Sequence, residues 1–316
     1  MAIMSFSNAP DSRTLGRVAG ALAVDEAFVE KDWYVVQAIR SLVGVGTADI
    51  VPVFSGGTSL LKGHGLIKRF SEDIDFKLAL SDAFLEMSGN QQRKRLGGFK
   101  DALVAAWSAA GFSIRDIQAR DANGFIRIEM DYPSVIRSHD ALRPHILAEI
   151  SAKPPRMPTL VRPLSSYVSQ YRALLPEVDA IPCVAPVETA ADKLSAFTWR
   201  MLVRDRASPD DDPTIVRHLH DLAALESAIS SDANFPGLLL ETLLADSSRG
   251  GEITLHLPPA ERLSRALSTL MSDPLYVQEY EQFVGAMAFA GESEVPSFEE
   301  ARQSVERLSG RLQTSL

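Results

Sequence analysis

Apolar and polar positions along the chain change their period near the middle. Up to about residue 151, short alternating or continuously apolar runs alternate with longer segments whose apolar residues recur at three and four. The short runs predict strands over 50–54, 74–80, 112–117, 124–132 and 144–151. Helices are expected over 15–22 and over 26–43, the latter capped by Asp25. One or two more are expected within 83–110, broken near Gly97-Gly98. The strand run ends at Lys153-Pro154-Pro155-Arg156-Met157-Pro158, and from Tyr167 onward the pattern is helical. A strong helix should open at Pro186, followed by others over 216–225, 235–244, 260–271, 277–287 and 298–308. A sheet-bearing first half followed by a helical second half is the expectation.

Composition narrows the class. The 316 residues are 46% hydrophobic and 23% charged, enough to bury one large core or two modest ones and unlike a disordered chain. The single cysteine, Cys183, excludes an internal disulfide framework and a cysteine-rich zinc site, which fits a reducing cytoplasm. No signal-peptide pattern and no apolar run of membrane-spanning length is seen, so a cytoplasmic protein is expected. Thirty-two basic and forty-one acidic residues give a net charge of −9, which does not favour nucleic-acid binding by global charge. Local charge differs: Lys62, Lys68 and Arg69 flank a glycine turn, whereas Gln91-Gln92-Arg93-Lys94-Arg95 reads as a solvated helix face.

The richest chemistry lies in Val51–Phe76, VPVFSGGTSLLKGHGLIKRFSEDIDF. Gly56-Gly57 allow positive φ and close approach of the backbone to a ligand. Thr58 or Ser59 is placed to cap a following helix whose N-terminal amides would favour phosphate. The pattern is not a Walker A loop. After about ten residues of helical spacing come Asp73 and Asp75, which on a strand would share a face. Two carboxylates that close repel unless a hard divalent cation lies between them. A phosphate-binding turn beside such a pair is the chemistry of nucleotidyl transfer.

Other candidates are scattered. Glu149, inside the strand PHILAEIS, is either an exposed-face residue or a third carboxylate beside the aspartate pair. Lys193 shares a helical stripe with Phe197 and Arg200, and Asp221 stands on the apolar side of the next helix. A buried lysine and a buried acid on successive helices are either one ion pair or two members of one site. Glu30-Lys31-Asp32-Trp33 reads as an amphipathic helix turn, and Tyr276, Tyr280 and Phe283 as packing residues.

Taken together, four blocks resemble the AbiEii-type nucleotidyltransferase toxins, a group that includes the MenT-type toxins. The blocks are Glu30–Trp33, Ser55–Lys62 running into Arg69–Asp75, Glu188–Phe197 with Arg200, and Arg217 with Asp221-Leu222. Two positions differ from the usual family pattern: Ser55 precedes the glycines in place of lysine, and His218 follows Arg217 in place of aspartate. The resemblance implies an α+β fold with a DNA polymerase beta-like, mixed-sheet nucleotidyltransferase domain over 1–165. A mostly α-helical domain over 166–316 would complete the active site. It also implies that Asp73 and Asp75 hold Mg²⁺ or Mn²⁺, while Gly56, Gly57, Thr58, Ser59, Lys62, Ser71 and Arg200 meet the nucleotide. Lys193 and Asp221 would belong to the catalytic set, with Glu149 as the candidate third carboxylate. The implied reaction is transfer from an NTP to the 3′ end of tRNA, blocking translation, with a cognate antitoxin as partner. A protein-modifying adenylyltransferase or a non-catalytic nucleotide-binding module are the rival readings.

Overall fold

The computed structural model describes residues 6–289 and 295–313. The chain forms two compact units, one running up to Gly65 and resuming over Phe70–Val184, the other made of Leu66–Arg69 and the chain from Ala185 onward. The expected division at residue 165 therefore falls inside the first unit.

The first unit contains one seven-stranded sheet. Its strands are β1 Ile50–Ser55, β2 Ile74–Leu80, β3 Ser113–Arg120, β4 Phe125–Asp131, β5 Ile146–Ser151, β6 Leu160–Leu164 and β7 Val178–Cys183. They lie in the order β3-β4-β5-β2-β1-β7-β6. β2 runs parallel to β5 and β1 parallel to β7, and the other neighbours are antiparallel, so the sheet is mixed. Ile74, Phe76 and Leu78 of β2, Ile126, Ile128 and Met130 of β4, and Ile146, Ala148 and Ile150 of β5 are buried on one face. The residues between them point to the other face, as a period of two requires.

The last two strands were missed by the apolar pattern. β6 contains Pro163 and β7 contains Pro182, and proline weakens a strand signature because it cannot donate to the ladder. β6 is an edge strand, where that loss is tolerated.

Helices α1 Ser12–Leu22, α2 Glu26–Leu42, α3 Gly56–Lys62, α4 Asp82–Leu85, α5 Gly89–Ala110 and α6 Tyr167–Tyr171 accompany the sheet. Asp25 caps α2 as expected, accepting from the Ala27 N–H at 2.8 Å. The expected break at Gly97-Gly98 is absent. α5 runs through both glycines, and the interruption falls earlier, between α4 and the Ser88–Gln91 capping box that opens α5.

The larger surprise is α2. Glu30, Lys31 and Asp32 are all buried, so the block is not an ordinary amphipathic turn. Glu30 accepts from the Val135 N–H at 2.7 Å and from the Ser134 hydroxyl. Lys31 pairs with Glu72 and donates to the carbonyls of Arg143 and His145, the latter at 2.9 Å. Asp32 pairs with Lys62 and accepts from the Tyr167 N–H at 2.6 Å. Burial pushes Lys31 and Lys62 down and Glu72 and Asp32 up, with the ionic contacts opposing it in each case.

The second unit is helical: α7 Pro186–Val203, α8 Arg217–Ile229, α9 Phe235–Ala245, α10 Gly251–Leu255, α11 Pro259–Ser272, α12 Leu275–Met287 and α13 Phe298–Gln313. α7 packs on α8, α9 and α11, and α13 packs on α8. Leu66–Arg69 joins this unit through an antiparallel bridge from Arg69 to Ala288 and a hydrogen bond from the Phe289 N–H to the Lys68 carbonyl. With its mixed sheet and helical unit, the protein has the expected α+β fold.

Removing one member of a buried ion pair strands the other charge, at a cost of about 3–5 kcal/mol. Lys31→Met should lower stability by an amount of that order in urea unfolding. The double variant Lys31→Met/Glu72→Leu should recover a measurable part of the loss.

Candidate active site

The turn from β1 into α3 is shaped around Asp75. Gly56 has φ 73°, in the left-handed region, and a Cβ there would lie 1.9 Å from Asp75 Oδ2. Only glycine lets the backbone close onto that carboxylate. Across the sheet, Ser55 of β1 is in register with Asp75 of β2, Asp75 with Glu149 of β5, and Glu149 with Arg127 of β4. Register partners project from the same face, so these four side chains form one polar row. Glu149 Oε1 lies 3.9 Å from Arg127 Nε, and Arg127 also meets Glu129 at 2.7 Å.

Asp73 lies just before β2 rather than in it. Its carbonyl accepts from the Thr58 hydroxyl, which lies 3.1 Å from Ser71 Oγ, and its carboxylate pairs with Arg143. Thr58 is fully buried, and the buried Ser59 hydroxyl donates to the Phe54 carbonyl at 3.3 Å. The Thr58 hydroxyl binds the turn to the segment leading into β2, and the Ser59 hydroxyl ties α3 back to β1. Lys62, at the C-terminal end of α3, is enclosed between Asp32 and the Tyr167 ring, whose centroid is 3.5 Å from Nζ. Its ammonium ties α3 to α2.

The fit of a divalent metal rests on the donor chemistry. Asp73 and Asp75 offer hard carboxylate oxygens. Among the described residues, no three His, Cys, Asp or Glu side chains converge as a metal-holding group. Magnesium sites on phosphate-transferring enzymes commonly use one or two carboxylates, with substrate phosphates and water filling the other positions. A two-aspartate contribution fits that pattern.

In the second unit, α7 and α8 bring Lys193 and Asp221 together, with Nζ 2.7 Å from Oδ2. They form one ion pair, and a third partner went unrecognised in the sequence. Arg69 grips Asp221 with two hydrogen bonds, Nε to Oδ1 at 2.7 Å and Nη2 to Oδ2 at 2.6 Å. His220 Nδ1 lies 3.3 Å from Oδ1, and the Arg69 guanidinium stands 5.5 Å from the Phe283 ring centroid. Burial alone would raise the Asp221 carboxyl, but Arg69 and Lys193 hold it well below the usual carboxylate range. Burial lowers Lys193, against the attraction of Asp221 and with the repulsion of Arg69. Arg200 pairs with Asp212 at 3.2 Å, as does Arg217 at 2.9 Å. His218 is buried, and among the described residues neither ring nitrogen has a hydrogen-bond partner.

The sequence from residue 44 to residue 304 matches the family described as nucleotidyl transferase AbiEii toxin, type IV TA system. The chain belongs to this family, and it is a nucleotidyltransferase. Among solved structures, MenT4, a nucleotidyltransferase toxin from Mycobacterium tuberculosis H37Rv, is similar over 94% of this chain and 98% of its own, with 17% identity and a TM-score of 0.48. A search of curated protein sequences finds no match.

Two predictions follow from this geometry. Gly56→Ala must push Asp75 aside, and misplacing a reacting group by about 1 Å costs roughly a hundredfold. Nucleotidyl transfer by this variant should fall by that order while its circular dichroism stays native. The second concerns His218, whose imidazole is driven well below the ordinary 6.5 by burial and then by Arg217, Lys193 and Arg200. The folded protein keeps it neutral while the unfolded chain takes up a proton as pH falls through about 6.5. Its contribution is therefore full above that pH and lost below it. Between pH 7.5 and 5.5 the melting temperature of the wild type should drop more than that of His218→Leu.

Proposed function

We propose that this protein transfers a nucleotide from an NTP to the 3′ end of tRNA in a divalent-metal-dependent reaction, and so blocks translation. The observation that carries the reading is the closure of the Gly56 backbone onto Asp75, a fit that serves a carboxylate whose position must be fixed. Asp73 and Asp75 would hold Mg²⁺ or Mn²⁺, which when bound supplies charge neutralisation at the α-phosphate and its leaving pyrophosphate.

The chain's own groups divide the remaining work. The acceptor hydroxyl attacks the α-phosphorus in line, its proton passing to solvent, as the bond to the bridging oxygen breaks and pyrophosphate leaves, so catalysis is mostly positioning and electrostatics. Gly56 and Gly57, at the start of α3, would cradle the phosphates beside Asp75. By the family resemblance, Lys193 would be the phosphate-neutralising cation. Asp221, held strongly ionised and accepting from Arg69 and Lys193 together, orients Lys193 and is poorly suited to take up a proton. Type IV membership supports a cognate antitoxin as the regulatory partner. No described helix is long and apolar enough to cross a membrane.

The test is incubation with each α-labelled NTP, Mg²⁺, purified tRNA, total RNA and cell extract. Label should enter tRNA and be lost after removal of its 3′ terminus. Label only in protein would replace this reading with protein nucleotidylation. Asp75→Ala should reduce transfer by at least roughly a hundredfold and abolish growth inhibition on expression. Toxicity that survives that change would rule out the metal-pair chemistry.

A further inference from the structure

Arg143 belongs to the connection between β4 and β5, residues 132–145, and its backbone is held with unusual thoroughness. Its N–H is shared by the two Glu72 carboxylate oxygens at 3.3 and 3.1 Å. Its carbonyl accepts from Lys31, whose fully buried ammonium also pairs with Glu72 and donates to the His145 carbonyl. The start of the same connection is fixed by Glu30 at Ser134 and Val135, and by the Tyr34 hydroxyl, which donates to the Pro133 carbonyl at 3.0 Å. One face of α2 thus sets the Cα of Arg143 beside the residue that follows Glu72, which is Asp73.

The side chain is held differently. The Arg143 guanidinium pairs with Asp73 Oδ1, yet the two side chains are 46% and 38% exposed. A pair this open to water gains roughly 0–1 kcal/mol. Such a bond is weak enough to break in use, while the backbone clamp keeps the cation within reach of the same place. The clamp uses a fully buried lysine and a largely buried glutamate, a costly arrangement for positioning an ordinary surface ion pair.

We propose that Arg143 is a tethered counter-ion that occupies the Asp73 carboxylate when no metal is bound, yields it to the divalent ion, and then binds the incoming polyphosphate. The proposal rests on the reading of Asp73 as a metal ligand. A metal ion and a guanidinium compete for the same carboxylate charge, so metal loading loosens the guanidinium. Once released, its planar fork of donors suits phosphate oxygens. Arg143 thereby couples the arrival of metal to the arrival of nucleotide without moving its backbone.

Mn²⁺ binding to the full-length protein, followed by electron paramagnetic resonance without nucleotide, tests the first half. Arg143→Gln should bind Mn²⁺ about two- to fivefold more tightly than wild type, the span of a weak exposed pair. Arg143→Lys, which keeps a cation, should stay closer to wild type. Inorganic tripolyphosphate at saturating Mn²⁺ tests the second half, and Arg143→Gln should bind it roughly tenfold more weakly, the worth of a charged hydrogen bond. Unchanged or weaker Mn²⁺ binding by Arg143→Gln, with Asp73→Asn losing Mn²⁺, overturns the counter-ion role alone. If Asp73→Asn binds Mn²⁺ as wild type does, the metal reading fails and the proposal fails with it. Unchanged tripolyphosphate affinity overturns the transfer of Arg143 to phosphate.

Discussion

Two consecutive buried charges on α2 organise the first unit. Lys31 reaches Glu72 and the end of the β4–β5 connection, and Asp32 reaches Lys62 at the end of α3 and the start of α6. Glu72 adjoins Asp73, and α3 begins at Gly56, whose backbone closes on Asp75. The elements carrying the glycine turn and the aspartate pair are therefore fixed to one helix from opposite ends. Hydrophobic packing of α2 would hold those elements only loosely in register. A desolvated ion pair with additional backbone hydrogen bonds specifies a single arrangement, because any slip leaves buried charge unpaired. Glu30, one position earlier, extends the same logic to the connection bearing Arg143.

Asp221 plays the corresponding part in the second unit. A carboxylate offers about four acceptor positions, and here the two-pronged Arg69, Lys193 and His220 converge on them from three chain segments. Such a group is structurally committed. It holds the Lys193 ammonium in one orientation as a partner that stays ionised. Arg217 and Arg200 share Asp212 in a second, more exposed arrangement of the same kind. Lys193 differs from them in being buried as well as paired.

Much of this was legible in the sequence because local physics decided it. β2 occupies the predicted span and α2 begins at its predicted cap, since a continuous apolar run and an Asp N-cap are short-range signals. The pairing of Lys193 with Asp221 was foreshadowed by two charged residues on apolar stripes. Arg69, Arg143 and the roles of Lys31 and Asp32 were not legible, because each depends on a partner distant along the chain. Arg69 sits among the basic residues beside the glycine turn, and nothing in its neighbourhood points to a partner 152 positions away. Lys62 shows the converse problem. Its spacing from the glycines imitates a phosphate contact, while in the fold its ammonium is enclosed with Asp32 and Tyr167. β6 and β7 escaped because their prolines suppress the strand pattern at positions where the fold tolerates them.

The two aspartates, separated by one residue, are held by opposite means. Asp75 lies within β2, flanked by β1 and β5, with the Gly56 backbone against its carboxylate. Its position is set by main-chain geometry and cannot adjust without moving the sheet. Asp73 lies outside the ladder, fixed through its carbonyl by the buried Thr58, while its carboxylate stays partly exposed and paired with a movable cation. In the proposed metal site a fixed carboxylate would give the ion its location, and an adjustable one would let it change partners. Had both been locked into the strand, each exchange of ligand would strain the sheet. Had both been loose, the metal position would vary on the scale that nucleotidyl transfer cannot tolerate. Placing the strand boundary between Asp73 and Asp75 gives the site one carboxylate of each kind.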